Sequence, residues 1–405
     1  MNILRALLLG PGTKEASKRE KAVLLDDPNV YPIHTLDSLK AYETFVAAVM
    51  LFNDVLDAEM LNNSLSRLLE IGDWRKLGGR LERVFDGKAR PHFTHECLME
   101  MKIGYHPAAK LLPKPTHAAS VQRMPNSDAF IAEGLPQLSL HIHSFQDATV
   151  VGLAWPHLAM DALGRAALLR SWSLVLANQD DKDQVAQIDA KTEKKSYVSQ
   201  LDAIISWITR QIALTESKPR PVTILSLVNC RFCLKQLRNT DDVHLQNMLL
   251  MTYTHLSAVD ARGLLAPMAL SHRAQTAEQT TELRAISYMQ WIAARIENNN
   301  HTIPICAQDN ANLIFFNSIA KANIITGTDF GPAVVQPGED TETRANPPGT
   351  MINSISRDAN DSVPFLNAVT VFGTDHEDGT WLYGYLPLKV WDAVEHQLKP
   401  ELAKQ

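Results

Sequence analysis

The chain has 405 residues, 45% hydrophobic and 21% charged, with a formal net charge of −6. That globular, mildly acidic balance sets aside a nucleic-acid or anionic-membrane surface, and the length suits two domains. Four cysteines are too few for a disulfide-framed secreted protein, and no stretch approaches the roughly 20 apolar residues of a membrane span.

The opening run 3–9 is apolar but interrupted by Arg5 and followed by Lys14, Lys18, Arg19 and Lys21. It is too short for the core of a signal peptide, so the expected compartment is the cytoplasm. Residues 46–52 (VAAVMLF) read as a buried strand. Residues 58–71 carry Met60, Leu61, Leu65, Leu68 and Leu69 at helical spacing. Residues 138–145 and 149–155 read as strands joined by a turn at Asp147. After Pro156 a helix is expected from about Asp161 to Ala177. The stretch 178–195 (NQDDKDQVAQIDAKTEKK) is polar and charged, which suits an exposed crossover extending through Lys218, Pro219, Arg220 and Pro221. Beyond it, 222–233, 249–258, 313–319 and 366–372 read as strands, and 283–297 and 388–398 as helices. The stretch 336–348, rich in Gly, Pro, Asp, Glu and Thr, reads as flexible. No internal repeat is visible. The expected organisation is an α/β chain with an N-terminal domain over 1–178, a linker over 179–221 and a C-terminal domain over 222–405. Two fused domains make a monomer sufficient.

Two H-x-x-x-D matches occur, His143 to Asp147 and His157 to Asp161, and about one is expected by chance among fourteen histidines. His143 lies within a strand beside His141, and Asp147 reads as a turn former. His157 follows a buried strand and Pro156 and precedes a helix that Asp161 can cap. A histidine there can project into a cleft from a rigid backbone. A satisfied histidine near a helix start remains the other reading. Cys230 and Cys233 form one C-x-x-C with no second pair or ligand-spaced histidines nearby. They read as packed thiols on a strand, with a metal or redox role as the alternative. No metal or resident cofactor is expected. Trp74, Trp172, Trp207, Trp291, Trp381 and Trp391 read as core or channel packing. Lys191, Lys194 and Lys195 form a small basic cluster, either a solvated loop or a contact for phosphates.

Residues 150–164 (VVGLAWPHLAMDALG) resemble the H-x-x-x-D-G region of BAHD-type acyltransferases, especially the fungal branch, where a W-P-H lead-in is familiar. Other pieces match in order. His34-Thr35-Leu36-Asp37 resembles the N-terminal L-T/S-x-L-D. Residues 74–81 (WRKLGGRL) resemble L-x-G-R-L. Val259-Asp260-Ala261-Arg262 resembles V-D-x-R, and Asp329-Phe330-Gly331 resembles the D-F-G of the second signature. The ordered set spans nearly the whole chain.

The resemblance implies two chloramphenicol-acetyltransferase-like domains, with mixed sheets flanked by helices and a central channel between them. It implies an acyl-coenzyme A co-substrate and a small-molecule acceptor bearing a hydroxyl or amine. His157 is then the general base, for which an imidazole titrating near neutrality is suited. Asp161 is implied to support the loop by pairing with Arg262, and Asp329 and Gly331 to be structural. A kinase reading of D-F-G fails without a glycine-rich loop or H-R-D. The chain departs from the family pattern at Ala162 (usually Gly), at Pro332-Ala333 (usually W-G) and at Asn317-Ser318-Ile319 (often Thr/Ser-Ser-Trp). Asn317 or Ser318 is the candidate donor to a developing oxyanion. An alternative keeps the fold and His157 but works without an acyl donor, as a cyclase, isomerase or condensing catalyst. A third is a non-catalytic binding protein.

Overall fold

The computed structural model describes residues 33–79, 92–105, 136–179, 198–238, 243–338, 344–358 and 367–402. The apolar opening run, Arg80 and Leu81, and the Lys191, Lys194 and Lys195 cluster lie outside the described residues.

The first half opens with strands β1 (Phe45–Phe52) and β2 (Val55–Leu56) and helix α1 (Ala58–Leu68). Strands β3 (His92–Leu98), β4 (Ser139–Phe145) and β5 (Thr149–Pro156) follow, then helix α2 (Ala162–Leu176). Helix α1 starts where the Asp57 carboxylate accepts the Met60 N–H, and it buries Leu61, Leu65 and Leu68 on one face. Helix α2 is apolar almost all round and mostly buried. The indole N–H of Trp172 reaches Ser64 Oγ at 2.8 Å and ties α2 to α1. Both helices cover the face of β1, β4 and β5 that carries Ala48, Met50, Leu140, Val151, Leu153 and Trp155. Each of the buried Met, Leu and Val side chains among these contributes roughly 1.5–3 kcal/mol.

The second half runs through helix α3 (Gln200–Thr215), strands β6 (Val222–Asn229) and β7 (Leu249–Leu256), and helices α4 (Leu265–Gln279) and α5 (Glu282–Glu297). It continues with strands β8 (Asn312–Ser318), β9 (Val334–Gln336), β10 (Met351–Asp358), β11 (Ala368–Thr374) and β12 (Thr380–Tyr385), and ends in helix α6 (Leu388–Leu402). One five-stranded sheet has the order β10-β1-β5-β4-β3, the other β12-β11-β8-β6-β7, and β2 pairs with β9. In the second sheet β8 is parallel to both β6 and β11.

Two expected boundaries differ from this topology. The segment 179–221 is not only a linker: Ser199 and Asp202 close a capping box at the start of α3. Ile205, Ile208 and Ile212 of α3 then pack on Val222 and Ile224 of β6. Nor does 222–405 stay in one half, because β10 pairs antiparallel with β1 and β9 with β2. The strand expected over 222–233 stops at Asn229, and Cys230–Phe232 form a 3-10 turn. Trp291 is 43% exposed, with the Arg295 guanidinium 5.3 Å over its ring, so it does not belong to the core.

A buried ion pair fastens the crossing segment. Asp54, at the end of β1, bonds Arg344 at 2.7 and 2.8 Å and accepts the N–H groups of Gly338 and Gly349. Burial alone raises this carboxyl, but the bonds from Arg344, Gly349 and Gly338 outweigh it and hold the pKa below the usual range.

Candidate active site

His157 sits one residue past the end of β5. The β1–β5 pairing ends at Phe45 opposite Pro156, and the His157 N–H extends it to the Thr44 carbonyl at 2.8 Å. From the other side the Asn247 amide donates to the His157 carbonyl at 2.8 Å. The same amide and the Asn247 backbone N–H both donate to Asp37 Oδ1 at 2.9 Å. The histidine backbone is thus held between β1, the N-terminal L-D segment and the lead-in to β7. Its ring is half-buried and lies 4.9 Å from the Tyr42 ring, centroid to centroid, tilted by 36°. Nδ1 is buried with no hydrogen-bond partner among the described residues. Asp37 is almost fully buried, and burial pushes its pKa up to about 7 although the two bonds from Asn247 pull the other way.

Asp161 does not turn toward the imidazole. Its Oδ1 accepts the N–H groups of Leu163 and Gly164 at 3.1 and 3.0 Å and caps α2. Its Oδ2 accepts Arg231 Nη1 at 2.6 Å and the Asn229 amide at 3.3 Å. Arg231 Nη2 reaches the carbonyls of His244 and Gln246, each at 2.6 Å, and the Asp161 N–H returns a bond to the Leu245 carbonyl at 3.1 Å. The partner expected for Asp161 was Arg262; that expectation is corrected. Arg262 bonds the Glu216 carbonyl at 2.7 Å, because the V-D-x-R segment follows β7. Arg231, on the turn that follows β6, is the one beside the loop.

The small residues around this loop have separate reasons. Ala162, standing where the family usually has glycine, is half-buried and has room for its methyl group. The tight approach is at Gly164, where an added Cβ would lie 2.4 Å from the Leu245 carbonyl oxygen and 2.9 Å from Met160 Cβ.

The other H-x-x-x-D match is a cross-strand arrangement. His143 Nδ1 meets Glu96 at 2.8 Å across β3 and β4, and Asp147 accepts the Ile103 N–H at 2.8 Å. The D-F-G segment docks on the far part of α2. The Asp329 N–H donates to Ser173 Oγ at 3.0 Å, about 18 Å along the helix from Asp161 at 1.5 Å per residue. Asp329 Oδ1 accepts the Gly331 N–H at 2.8 Å, and the Phe330 ring packs on Phe52 and Trp172.

Asn317 and Ser318 end β8, the central strand of the second sheet. Ile314 and Phe316 face the helices, so Asn317, one residue on, faces away from them. Both side chains are half-buried and make no hydrogen bond among the described residues.

Cys230 and Cys233 lie on the turn after β6 rather than on a strand, and burial pushes both thiols up. Among the described residues no group of three or more His, Cys, Asp or Glu is placed to hold a metal.

No family model matches the chain. It is 23% identical over 498 aligned positions to acetyltransferase BOT5 of Botryotinia fuckeliana, covering 92% of this chain and 90% of the relative. It is 22% identical to O-acetyltransferase PaAT-2 of Phomopsis amygdali, covering 91% and 97%. Among solved structures, TRI101 of F. sporotrichioides complexed with coenzyme A and T-2 superposes with a TM-score of 0.63 at 13% identity, covering 90% of this chain and 96% of that one. Vinorine synthase does so with a TM-score of 0.57 at 12% identity, covering 88% and 89%. The chain has the BAHD-type acyltransferase fold. Within that BAHD-type frame, sequence reasoning placed His157 between a strand and a helix and Asp161 at the helix cap, and the structure has both there. It missed Tyr42, Arg231 and Asn247. Arg231 was hidden between two cysteines that drew attention to sulfur chemistry, and nothing marks Asn247 locally. Asp37 was visible only as the last letter of the N-terminal motif.

Proposed function

We propose that the chain is an acyl-coenzyme A-dependent acyltransferase that acylates a hydroxyl or amine of a specialised small-molecule metabolite, with His157 as general base. The observation that carries this reading is the setting of His157: a backbone held by Thr44 and Asn247, and a half-buried ring with no hydrogen-bond partner for Nδ1 among the described residues. The similarity to fungal acetyltransferases over nine-tenths of the chain supports the coarse reaction.

In the proposed step the acceptor oxygen or nitrogen attacks the thioester carbonyl carbon and gives its proton to Nε2. The tetrahedral oxyanion collapses, the C–S bond breaks, and the thiolate takes that proton from the imidazolium. Ester or amide and free coenzyme A are released, and no acyl-enzyme is required. Asn317 and Ser318, whose side chains are uncommitted, are the proposed oxyanion donors. Asp161 acts through position: with both oxygens engaged by the α2 N-terminus, Arg231 and Asn229, it fixes the loop. Action as a monomer in the cytoplasm belongs to the same proposal. Its cytoplasmic part is supported by four free cysteines.

A donor-free reaction on the same fold is the second reading, favoured by Ile319 standing where the family often has tryptophan. Calorimetric titration with coenzyme A and acetyl-coenzyme A separates the two. Saturable micromolar binding is expected for acyl transfer, and a folded sample that binds neither at millimolar concentration sinks it. Against any acceptor found, His157→Ala is expected to lower turnover about 100-fold or more.

A further inference from the structure

Arg165, one turn into α2, is only 2% exposed, yet no carboxylate among the described residues pairs with it. Its Nη1 donates to Ser356 Oγ on β10. Nε and Nη2 are buried with no partner among the described residues. The guanidinium carbon lies 5.9 Å from the Trp155 ring centroid and 5.5 Å from that of Phe372. Burial lowers its pKa to about 10, which leaves it a cation at neutral pH. A buried, uncompensated charge with two idle donors is costly, so such a group is kept where something answers it.

The idle pair defines what that is. Nε–H and Nη2–H are the two parallel donors on one edge of the guanidinium, the fork that matches both oxygens of a carboxylate. The aromatic rings engage the guanidinium through π-faces, and these supply no in-plane acceptor. A single positive charge between aromatic walls balances a monoanion and falls short of a phosphate dianion. The place is a seam between the halves: Trp155 and Ser356 belong to the first sheet, Phe372 to the second. Tyr383 of β12, half-buried, packs on Phe372 at 6.1 Å. Trp155 is two residues before His157, roughly 7 Å along an extended strand. Ser354, on the same face of β10 as Ser356, holds a buried hydroxyl with no partner among the described residues.

We propose that Arg165 anchors a substrate carboxylate, gripped by Nε and Nη2 in the seam beside His157. The proposal deepens the acyl-transfer reading and rests on it for the substrate. The carboxylate has two possible sources, a dicarboxylic acyl donor or a hydroxy-acid acceptor.

Calorimetry on the full chain distinguishes them. In the donor arm, succinyl-coenzyme A is compared with acetyl-coenzyme A. In the acceptor arm, 3-hydroxybutyrate and salicylate are compared with their methyl esters in the presence of coenzyme A. The expected result is a tenfold or greater preference for the carboxylate in one arm, lost in Arg165→Met while the melting temperature is kept or raised. Arg165→Gln is the second variant if Met does not fold. No carboxylate preference in either arm, or a preference that survives both substitutions, overturns the proposal. Arg165-dependent binding of the free acids with no binding of either thioester upholds the anchor and sinks acyl transfer instead. Binding of both thioesters without any carboxylate preference does the reverse.

Discussion

Asp37 is a carboxylic acid whose burial opposes its ionisation. Burial carries its pKa from 3.8 to about 7, so the folded chain holds this proton more tightly than the unfolded one. Folding therefore takes up a proton between about pH 4 and 7, and stability from this group falls as pH rises through that window. Asp37→Asn keeps an acceptor for the Asn247 N–H and removes the titration. The variant's melting temperature is expected to gain on the parent as pH goes from 5 to 8, and parallel curves would refute the assignment. Arg231 shows the complementary case. Arg231→Met leaves Asp161 as a buried carboxylate without its cation, and a loss of about 3–5 kcal/mol in urea unfolding is expected. The position of His157 and the Asp161 cap were legible because an apolar strand, a proline and a capping residue follow one another within thirteen letters, residues 149–161. Arg231 was not, since an arginine reveals its partner only when two chain ends meet 70 residues apart.

At the level of elements, the loop joining β5 to α2 works as a unit with the lead-in to β7. Gly164 lets the first turn of α2 lie against the Leu245 carbonyl. Gly164→Ala forces the two apart and is expected to cost about 1–3 kcal/mol. Its activity loss is expected to exceed tenfold, because the Asp161–Leu245 bond and the Arg231 contacts part together. Circular dichroism melts alongside turnover test this, and a variant with parental turnover would show that the loop tolerates the shift. Strand β5 and helix α2 were readable from hydrophobic pattern alone. Strand β10 was not: Ser354 and Ser356 occupy positions that face the core side, so the apolar alternation disappears. Helix α4 was equally hidden, since its buried positions Met268, Ala269 and His272 form no broad apolar stripe. Helix α3 was masked by the charged stretch before it, though its isoleucines carry a helical period.

For the whole molecule, β9 and β10 carry the second half of the chain into pairing with β2 and β1 of the first half. Asp54 and Arg344 fasten that pairing with side chains 0% and 6% exposed. Arg344→Met leaves Asp54 buried and unpaired, and a loss of about 3–5 kcal/mol is expected. The parent should unfold in a single denaturant transition that fluorescence and circular dichroism report alike. Two separated transitions would mean that the sheets fold independently. The α/β class was legible from the spacing of strands and helices. The interlocking was not, because it depends on where β10 docks and not on what β10 is.

The position of β10 also sets a clock on biosynthesis. The edge of the first sheet is filled by residues 351–358, and the turn that carries Arg231 is made long after His157. A ribosome that has delivered only the first 180 residues has made every letter of the histidine motif and none of its clamps from β7 and Arg231. The nascent N-terminal half must wait with an open sheet edge until nearly nine-tenths of the chain has emerged. A chain truncated before residue 351 is therefore expected to accumulate as an aggregation-prone half-sheet, and not as a smaller enzyme.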